Sequence, residues 1–390
     1  MIKLICVTPN NNNKYYYMED LHNGSFKVSY GRVGASETVL TYPISLWDKK
    51  YSEKLKKGYV DVTEKITAIK KTGELDISDP DVKDLINFLM SEARQSIKRD
   101  YEISTESVTE EQINQCQNII NNINIAKDYN TPDNLKLQEV NEKLVQLYTL
   151  IPRRMADTRH YFLKTWNIPF LVELLQAEQS RLDTLKSQVN INQVSSNGIT
   201  LEELGFTCEL ASEADKDLIR KNTDFRLTNH RVFKISNKET ESVFNPNHLK
   251  TKLLYHGSRN ENFLSILQTG LKIRPKGVQT TGSMFGDGIY AANKARKSIG
   301  YTSLRGSYWA SGHSNRAYLA IFEFATGNEW DLLDNQSWSG WMSRIDESQV
   351  KSKGCDSVFA KGGVDLRNDE YVVYNSNQCT IRYLIELKED

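Results

Sequence analysis

Between Lys252 and Tyr301 the chain carries side chains suited to holding a flat, amide-bearing ligand. His256, Gly257 and Ser258 end the apolar run Lys252–Tyr255, which reads as a strand. Tyr290 ends a second run, and Ser298 and Tyr301 follow a basic helical stretch, Asn293–Ser298. Aromatic rings stack on a flat group, a hydroxyl and backbone amides satisfy an amide, and glycines permit close approach of the ligand. Further on, Glu370 stands in the run Asn368–Tyr374, NDEYVVY, which also reads as a strand.

The elements that must position these groups follow from pattern. Phe263, Ile266 and Leu267 share one face of a short helix, with Gly270 placed as its C-terminal cap. A Gly/Pro/Thr-rich loop spans Pro275–Ser283. Cys208–Leu210, Arg231–Ile235, Ala317–Phe324 and Thr380–Leu387 read as further strands, and Glu213–Asn222 as a helix. Many strands with few helices imply an α+β unit over residues 206–390, with a mixed, mainly antiparallel sheet.

The rest of the chain divides by composition. Residues 1–72 read as a small, mainly-β domain, with Asn23-Gly24 between two short runs as a hairpin signal. This segment holds eleven Lys and one Arg against seven acids, net +5, while the whole chain is neutral, so the remainder is net −5. Gly73–Pro80 reads as a linker, and residues 81–192 as an almost entirely helical bundle. Thr109 and Gln112 form a capping-box pattern, and Leu137, Val140, Leu144 and Leu147 an apolar stripe ending at Pro152. A further helix covers Leu171–Leu185, and the Asn/Ser/Gly-rich Asn190–Gly205 is expected to be a connector. The whole is thus expected to be a multidomain α+β chain of 390 residues.

Several classes are disfavoured. No apolar run approaches the roughly 20 residues of a membrane span, and Met1–Val7 is too short for a signal-peptide core, which implies an intracellular protein without a membrane partner. The five cysteines are scattered without a CxxC pair, which argues against a zinc site or a disulfide framework. There is no dinucleotide fingerprint, since Gly286 and Gly288 are followed by Ala291, and no phosphate loop.

Taken together, HGS at 256–258, MFGDGIYAA at 284–292, KSIGY at 297–301 and NDEYVVY at 368–374 resemble the catalytic domain of the poly(ADP-ribose) polymerases. Tyr30, Gly31 and Arg32, followed by Val33 and Gly34, resemble that family's nucleic-acid-binding WGR domain, with Tyr30 in place of the usual Trp. Leu147–Pro152 resembles its all-α regulatory domain. The resemblance implies a His–Tyr–Glu triad of His256, Tyr290 and Glu370. It implies NAD consumed as a substrate, with no metal: an ADP-ribose donor rather than a hydride carrier. The ribose–nicotinamide bond breaks with positive charge growing on the ribose, which a nearby carboxylate stabilises.

By the same resemblance Glu370 holds the 2′-hydroxyl of the nicotinamide ribose and orients the attacking hydroxyl, while His256 holds the adenosine-side ribose. Gly257 and Ser298 grip the carboxamide, and Tyr301 and Tyr290 stack from either side. Ser258, Ser265 and Lys272 fall at donor-site positions around the adenosine and phosphates, Lys272 replacing an Arg. Met284 matches an acceptor-site position, whereas Asp287 and Asn368 depart from the usual Lys and aromatic. In the basic first segment, Tyr30, Arg32, Lys49 and Lys50 are the expected contacts to nucleic acid, with DNA ends or breaks as partner. Protein acceptors, the chain itself included, are the other partners. The expected location is nuclear in a eukaryote and cytoplasmic in a prokaryote or virus. Two other readings are a mono-ADP-ribosyltransferase and a non-catalytic sensor of nucleic-acid ends; the intact triad argues against the second.

Overall fold

The computed structural model describes residues 1–63, 75–102, 108–123, 132–193, 198–244, 246, 249–273, 285–332, 345–363 and 366–389. Met284 and the whole loop Pro275–Ser283 lie outside them. The chain divides into two units, one of Met1–Thr72 with Gln95–Gln193, the other of Gly73–Arg94 with Val194–Asp390.

In the first unit, β1 (Ile2–Thr8), β2 (Asn12–Asp20), β3 (Ser25–Arg32), β4 (Thr38–Pro43), α1 (Trp47–Lys56) and β5 (Val60–Asp61) follow one another. The strands form one sheet in the order β4-β3-β2-β1-β5, every described pairing antiparallel. Alternation decides which face is covered: Tyr16 and Met18 of β2 and Phe26 and Val28 of β3 point the same way, joined by Leu4. Trp47 and Tyr51 of α1 pack against them.

Next come α2 (Pro80–Asp100), α3 (Glu110–Asn122), α4 (Asp133–Leu150) and α5 (Ile168–Gln193). Thr109 caps α3 in a full capping box with Gln112. The stretch after Leu150 is not helical apart from one short turn at Thr158–His160, because Pro152 cannot continue α4 and the following residues serve the sheet. Asn13 donates to the Arg153 carbonyl at 2.8 Å, and Thr158 donates its hydroxyl to the Thr8 carbonyl at 2.9 Å. The Arg153 guanidinium is itself buried, paired with the fully buried Glu178 of α5 and lying over the Tyr101 ring.

The described residues of the expected connector Asn190–Gly205 form more structure than its composition suggests. Helix α5 runs into it, Ile199 bridges to Leu75, and Ile199, Leu201 and Leu204 are buried. Together with Ile191, these buried apolar side chains outweigh its polar majority.

The second unit continues with β6 (Phe206–Leu210), α6 (Glu213–Asn222), β7 (Val232–Asn237), α7 (Lys238–Val243), β8 (Thr251–Gly257) and α8 (Asn260–Thr269). Then follow β9 (Ile289–Ala291), α9 (Ala295–Ile299), β10 (Arg316–Ala325), β11 (Glu329–Leu332), α10 (Glu347–Ser352), β12 (Ser357–Ala360), β13 (Glu370–Val373) and β14 (Cys379–Lys388). Two sheets result, in the orders β6-β7-β14-β10-β8 and β11-β12-β13-β9. All pairings are antiparallel except β11 with β12. The mainly antiparallel expectation therefore agrees with the structure. The first turns of α2 belong to this unit: Arg231 reaches Asp81 at 2.7 Å, Asp84 at 2.6 Å and the buried Glu386 at 2.6 Å. No helix among the described residues is long and apolar enough to cross a membrane.

Candidate active site

The two sheets of the second unit are stitched together where β8 meets the end of β9. Tyr255 and Ala292 exchange backbone hydrogen bonds at 2.8 and 3.0 Å. One residue along, the His256 ring nitrogen Nδ1 lies 3.1 Å from the Tyr290 carbonyl. A carbonyl can only accept, so Nδ1 carries the proton and Nε2 is left as an acceptor. Burial lowers the His256 pKa below its ordinary 6.5 and favours the neutral ring, while the bond to Tyr290 opposes that shift.

Gly257 ends β8 against α9. A Cβ there would lie 1.8 Å from the Ser298 carbonyl oxygen, so only glycine allows this approach. The buried Ser298 donates its hydroxyl to the Tyr255 carbonyl at 3.1 Å. Its lone pairs remain able to accept from an amide N–H.

Tyr290 lies on β9 opposite Val372 of β13. Its hydroxyl donates to the Gly286 carbonyl at 2.8 Å and accepts from the Phe285 amide at 3.0 Å. Burial pushes its phenol well above the ordinary value, with the charges of Tyr374, Glu370 and Asp287 adding. Tyr301, after α9, is 41% exposed. Burial of part of its ring and the charge of Glu370 raise its pKa too. Glu370 thus lies within electrostatic reach of both tyrosines.

Glu370 opens β13, opposite Ala360 of β12, and is buried. Burial raises its pKa, and Lys297 of α9 opposes that shift through its charge and a hydrogen bond. The two side chains form an ion pair in which they are only 12% and 10% exposed. Lys297 is the residue that sequence reasoning missed. A lysine in a basic helix looks like solvated surface, and its one distinguishing sign was its place immediately before Ser298. Neighbouring Asp369 accepts from Asn293 at 3.1 Å and from the Gly362 amide at 2.9 Å, fixing the start of β13.

The structure therefore brings together His256, Gly257, Tyr290, Ser298, Tyr301 and Glu370. Ser258 stays adjacent, accepting from Asn262 at 3.1 Å, and Ser265 sits part-buried on α8. Lys272 is exposed and, among the described residues, paired with Glu239 at 2.6 Å. Among the described residues no group of His, Cys, Asp or Glu is arranged to hold a metal.

The residues expected to meet nucleic acid fall in the first unit. Arg32 is taken up by backbone: it donates to the carbonyls of Asn11 at 3.0 Å, Met155 at 3.0 Å and Ala156 at 2.7 Å. Tyr30 packs near Tyr16, ring centroids 5.9 Å apart, and Lys54 lies over the Tyr16 ring at 4.0 Å. Lys49 is exposed on α1, and Lys50 lies 4.7 Å from the centroid of Tyr42.

Comparison with known proteins agrees with this geometry. The family profile for the poly(ADP-ribose) polymerase catalytic domain matches residues 213–389. The chain is 35% identical to the uncharacterized protein 101L of Invertebrate iridescent virus 6, over 50% of this chain and 81% of that one. It is 31% identical to the poly(ADP-ribose) polymerase-like protein 100L of the same virus, over 44% of this chain and 89% of that one. Poly(ADP-ribose) polymerase 1 of Danio rerio is 25% identical over 87% of this chain, which spans 37% of that longer protein. A matched catalytic profile and a relative aligned over nearly its whole length show that the chain belongs to the poly(ADP-ribose) polymerase family and is an NAD+ ADP-ribosyltransferase.

Proposed function

We propose that the chain transfers ADP-ribose from NAD to protein acceptors, itself included, builds polymer, and is stimulated by nucleic acid such as DNA breaks. The observation that carries the catalytic part is the buried Glu370 carboxylate, paired with Lys297 of α9 one residue before Ser298. NAD supplies a ribose–nicotinamide bond that breaks with positive charge growing on the ribose. Gly257 lets α9 pack against the end of β8, which sets Ser298 and its acceptor lone pairs beside the Gly257 backbone, where a carboxamide would bind. Tyr301 presents an exposed ring for stacking. His256 Nε2, an acceptor, holds a ribose hydroxyl. Glu370, when ionised, faces the growing charge and accepts from the 2′-hydroxyl and then from the attacking hydroxyl.

The regulatory part rests on order and local contacts. Residues 1–72 read as the WGR-like nucleic-acid-binding domain, 81–192 as the helical regulatory domain and 206–390 as the catalytic domain. Arg32, Asn13 and Thr158 tie the sheet to the stretch between α4 and α5, so a ligand on the sheet acts on both. In this reading the helices restrain the donor site until nucleic acid favours an open state, which requires tighter binding to that state.

The test is incubation of the full chain with labelled NAD, with and without nicked DNA, followed by a denaturing gel. A DNA-dependent ladder supports the whole reading. A single sharp band means mono-ADP-ribosylation, DNA-independent labelling removes the nucleic-acid part, and absence of label removes the catalytic part.

A further inference from the structure

We infer that Trp309 is a positioning residue for donor binding: its indole braces the ring of Tyr301. The inference rests on the reading that Tyr301 stacks on the nicotinamide ring. Trp309 is 61% exposed and its neighbour Tyr308 74% exposed, although large aromatic side chains are usually mostly covered. They are nevertheless firmly placed. The Trp309 and Ala310 amides both donate to the Gly300 carbonyl, at 2.9 and 3.2 Å. The buried Ser307 donates its hydroxyl to the Ile299 carbonyl at 2.9 Å, and Leu304 bridges to Ser314. The segment after α9 therefore folds back on the end of that helix and carries the indole with it.

The ring geometry shows what the indole does there. The Tyr301 and Trp309 rings lie within 15° of parallel, centroids 6.0 Å apart. Tyr308 meets Trp309 edge-on at 4.7 Å and 89°. Gly300 leaves room beneath: a Cβ there would lie 3.2 Å from Trp309 Cδ1. A tyrosine exposed at a loop start would otherwise be free to swing, and a ligand stacking on it would have to order it first. Bracing removes that cost before the ligand arrives. Since the brace acts on ground state and transition state alike, its loss should appear in KM and leave kcat in place.

The experiment uses the full chain and steady-state nicotinamide release from NAD, with melting temperatures measured alongside. Trp309→Ala should raise KM about two- to tenfold, the ordering cost of one side chain, with kcat unchanged. Trp309→Phe, which keeps an aromatic face, should restore KM to near the parent value, whereas Trp309→Leu, equally apolar, should not. Nicotinamide should quench tryptophan emission in the parent, and the quench should be largely lost in Trp309→Phe. An unchanged or lowered KM in a folded Trp309→Ala protein overturns the inference, as does full rescue by Leu. Tyr301→Ala separates the two levels. If it raises KM while Trp309→Ala does not, only the brace is wrong; if neither changes KM, the stacking role of Tyr301 fails as well.

Discussion

Removing Lys297 tests the charge design of the site most directly. Lys297→Met keeps the length and apolar stem of the side chain and deletes its ammonium. The partner, Glu370, is about nine-tenths covered, so solvent cannot replace the lost charge. A hydrogen bond to a charged group contributes about 1.5–3 kcal/mol, and one pKa unit corresponds to about 1.36 kcal/mol. The ionised form of Glu370 therefore loses support equivalent to about one to two pKa units. Burial already raises Glu370, and Lys297 is what opposes that shift, so its pKa moves further upward. In the proposed mechanism transfer needs the ionised carboxylate, so the acid limb of kcat/KM should shift to higher pH by that amount. Activity near neutrality should fall and then recover as pH rises. Lys297→Arg keeps the charge and should leave the limb within a few tenths of a unit. The assay is nicotinamide release from pH 5 to pH 9, with melting curves to confirm folding. An acid limb that stays in place in a folded Lys297→Met protein would refute the claim that this pair sets the ionisation of Glu370.

Further outcomes follow from the same structure. Glu370→Gln should abolish polymer while largely sparing NAD binding, because the carboxylate acts on charge that develops only in the transition state; normal ladders on a gel would remove Glu370 from that role. DNA binding by the full chain should weaken with salt at a slope of roughly −0.9 per phosphate neutralised, and Lys49→Ala should flatten that slope by about one phosphate; salt-independent binding in a filter or anisotropy assay would exclude a phosphate-tracking face. Burial works against the Glu386 charge, yet the hydrogen bonds from Arg231 and Lys388 and the charge of Arg316 hold it below its ordinary 4.5. Its contribution to stability is thus present above that value and lost as pH falls through the lowered one. Arg231→Met should accordingly lower the melting temperature at pH 7 and reduce its further fall on acidification, whereas parallel melting profiles for the two proteins would count against it.

Much of the catalytic unit could be read from the sequence, for physical reasons that can be named. Strands β8, β10 and β14 are long and apolar because each is covered, and Gly270 stops α8 where it was expected, at φ 71°. His256, Tyr290 and Glu370 were singled out because their spacing carries a family pattern, and the structure sets the His256 ring against the Tyr290 carbonyl. Other features were not, because their meaning lies in partners remote along the chain. Arg32 was expected to meet nucleic acid, and nothing in its surroundings along the chain showed that it also donates to two carbonyls more than a hundred residues away. Strands β11 and β12 went unnoticed, four residues each being too short for alternation to show. The start of α2 looked like part of the helical bundle. Its acidic face is instead claimed by Arg231 and Arg316, a pairing that periodicity does not encode.

The seam between the two sheets makes activity a gauge of complete folding. His256 belongs to one sheet and Glu370 to the other, and Tyr290 stands at the junction. A refolding chain that has closed the β8–β10–β14 sheet alone owns the His256 imidazole without Glu370. One that has closed only β11–β12–β13–β9 owns a carboxylate facing nothing. Tryptophan signals and secondary-structure content could recover in such half-assembled chains, while turnover waits for Tyr255 and Ala292 to join. During refolding, the return of nicotinamide release should therefore lag every spectroscopic measure of either sheet, and the length of that lag is the lifetime of the unsewn seam.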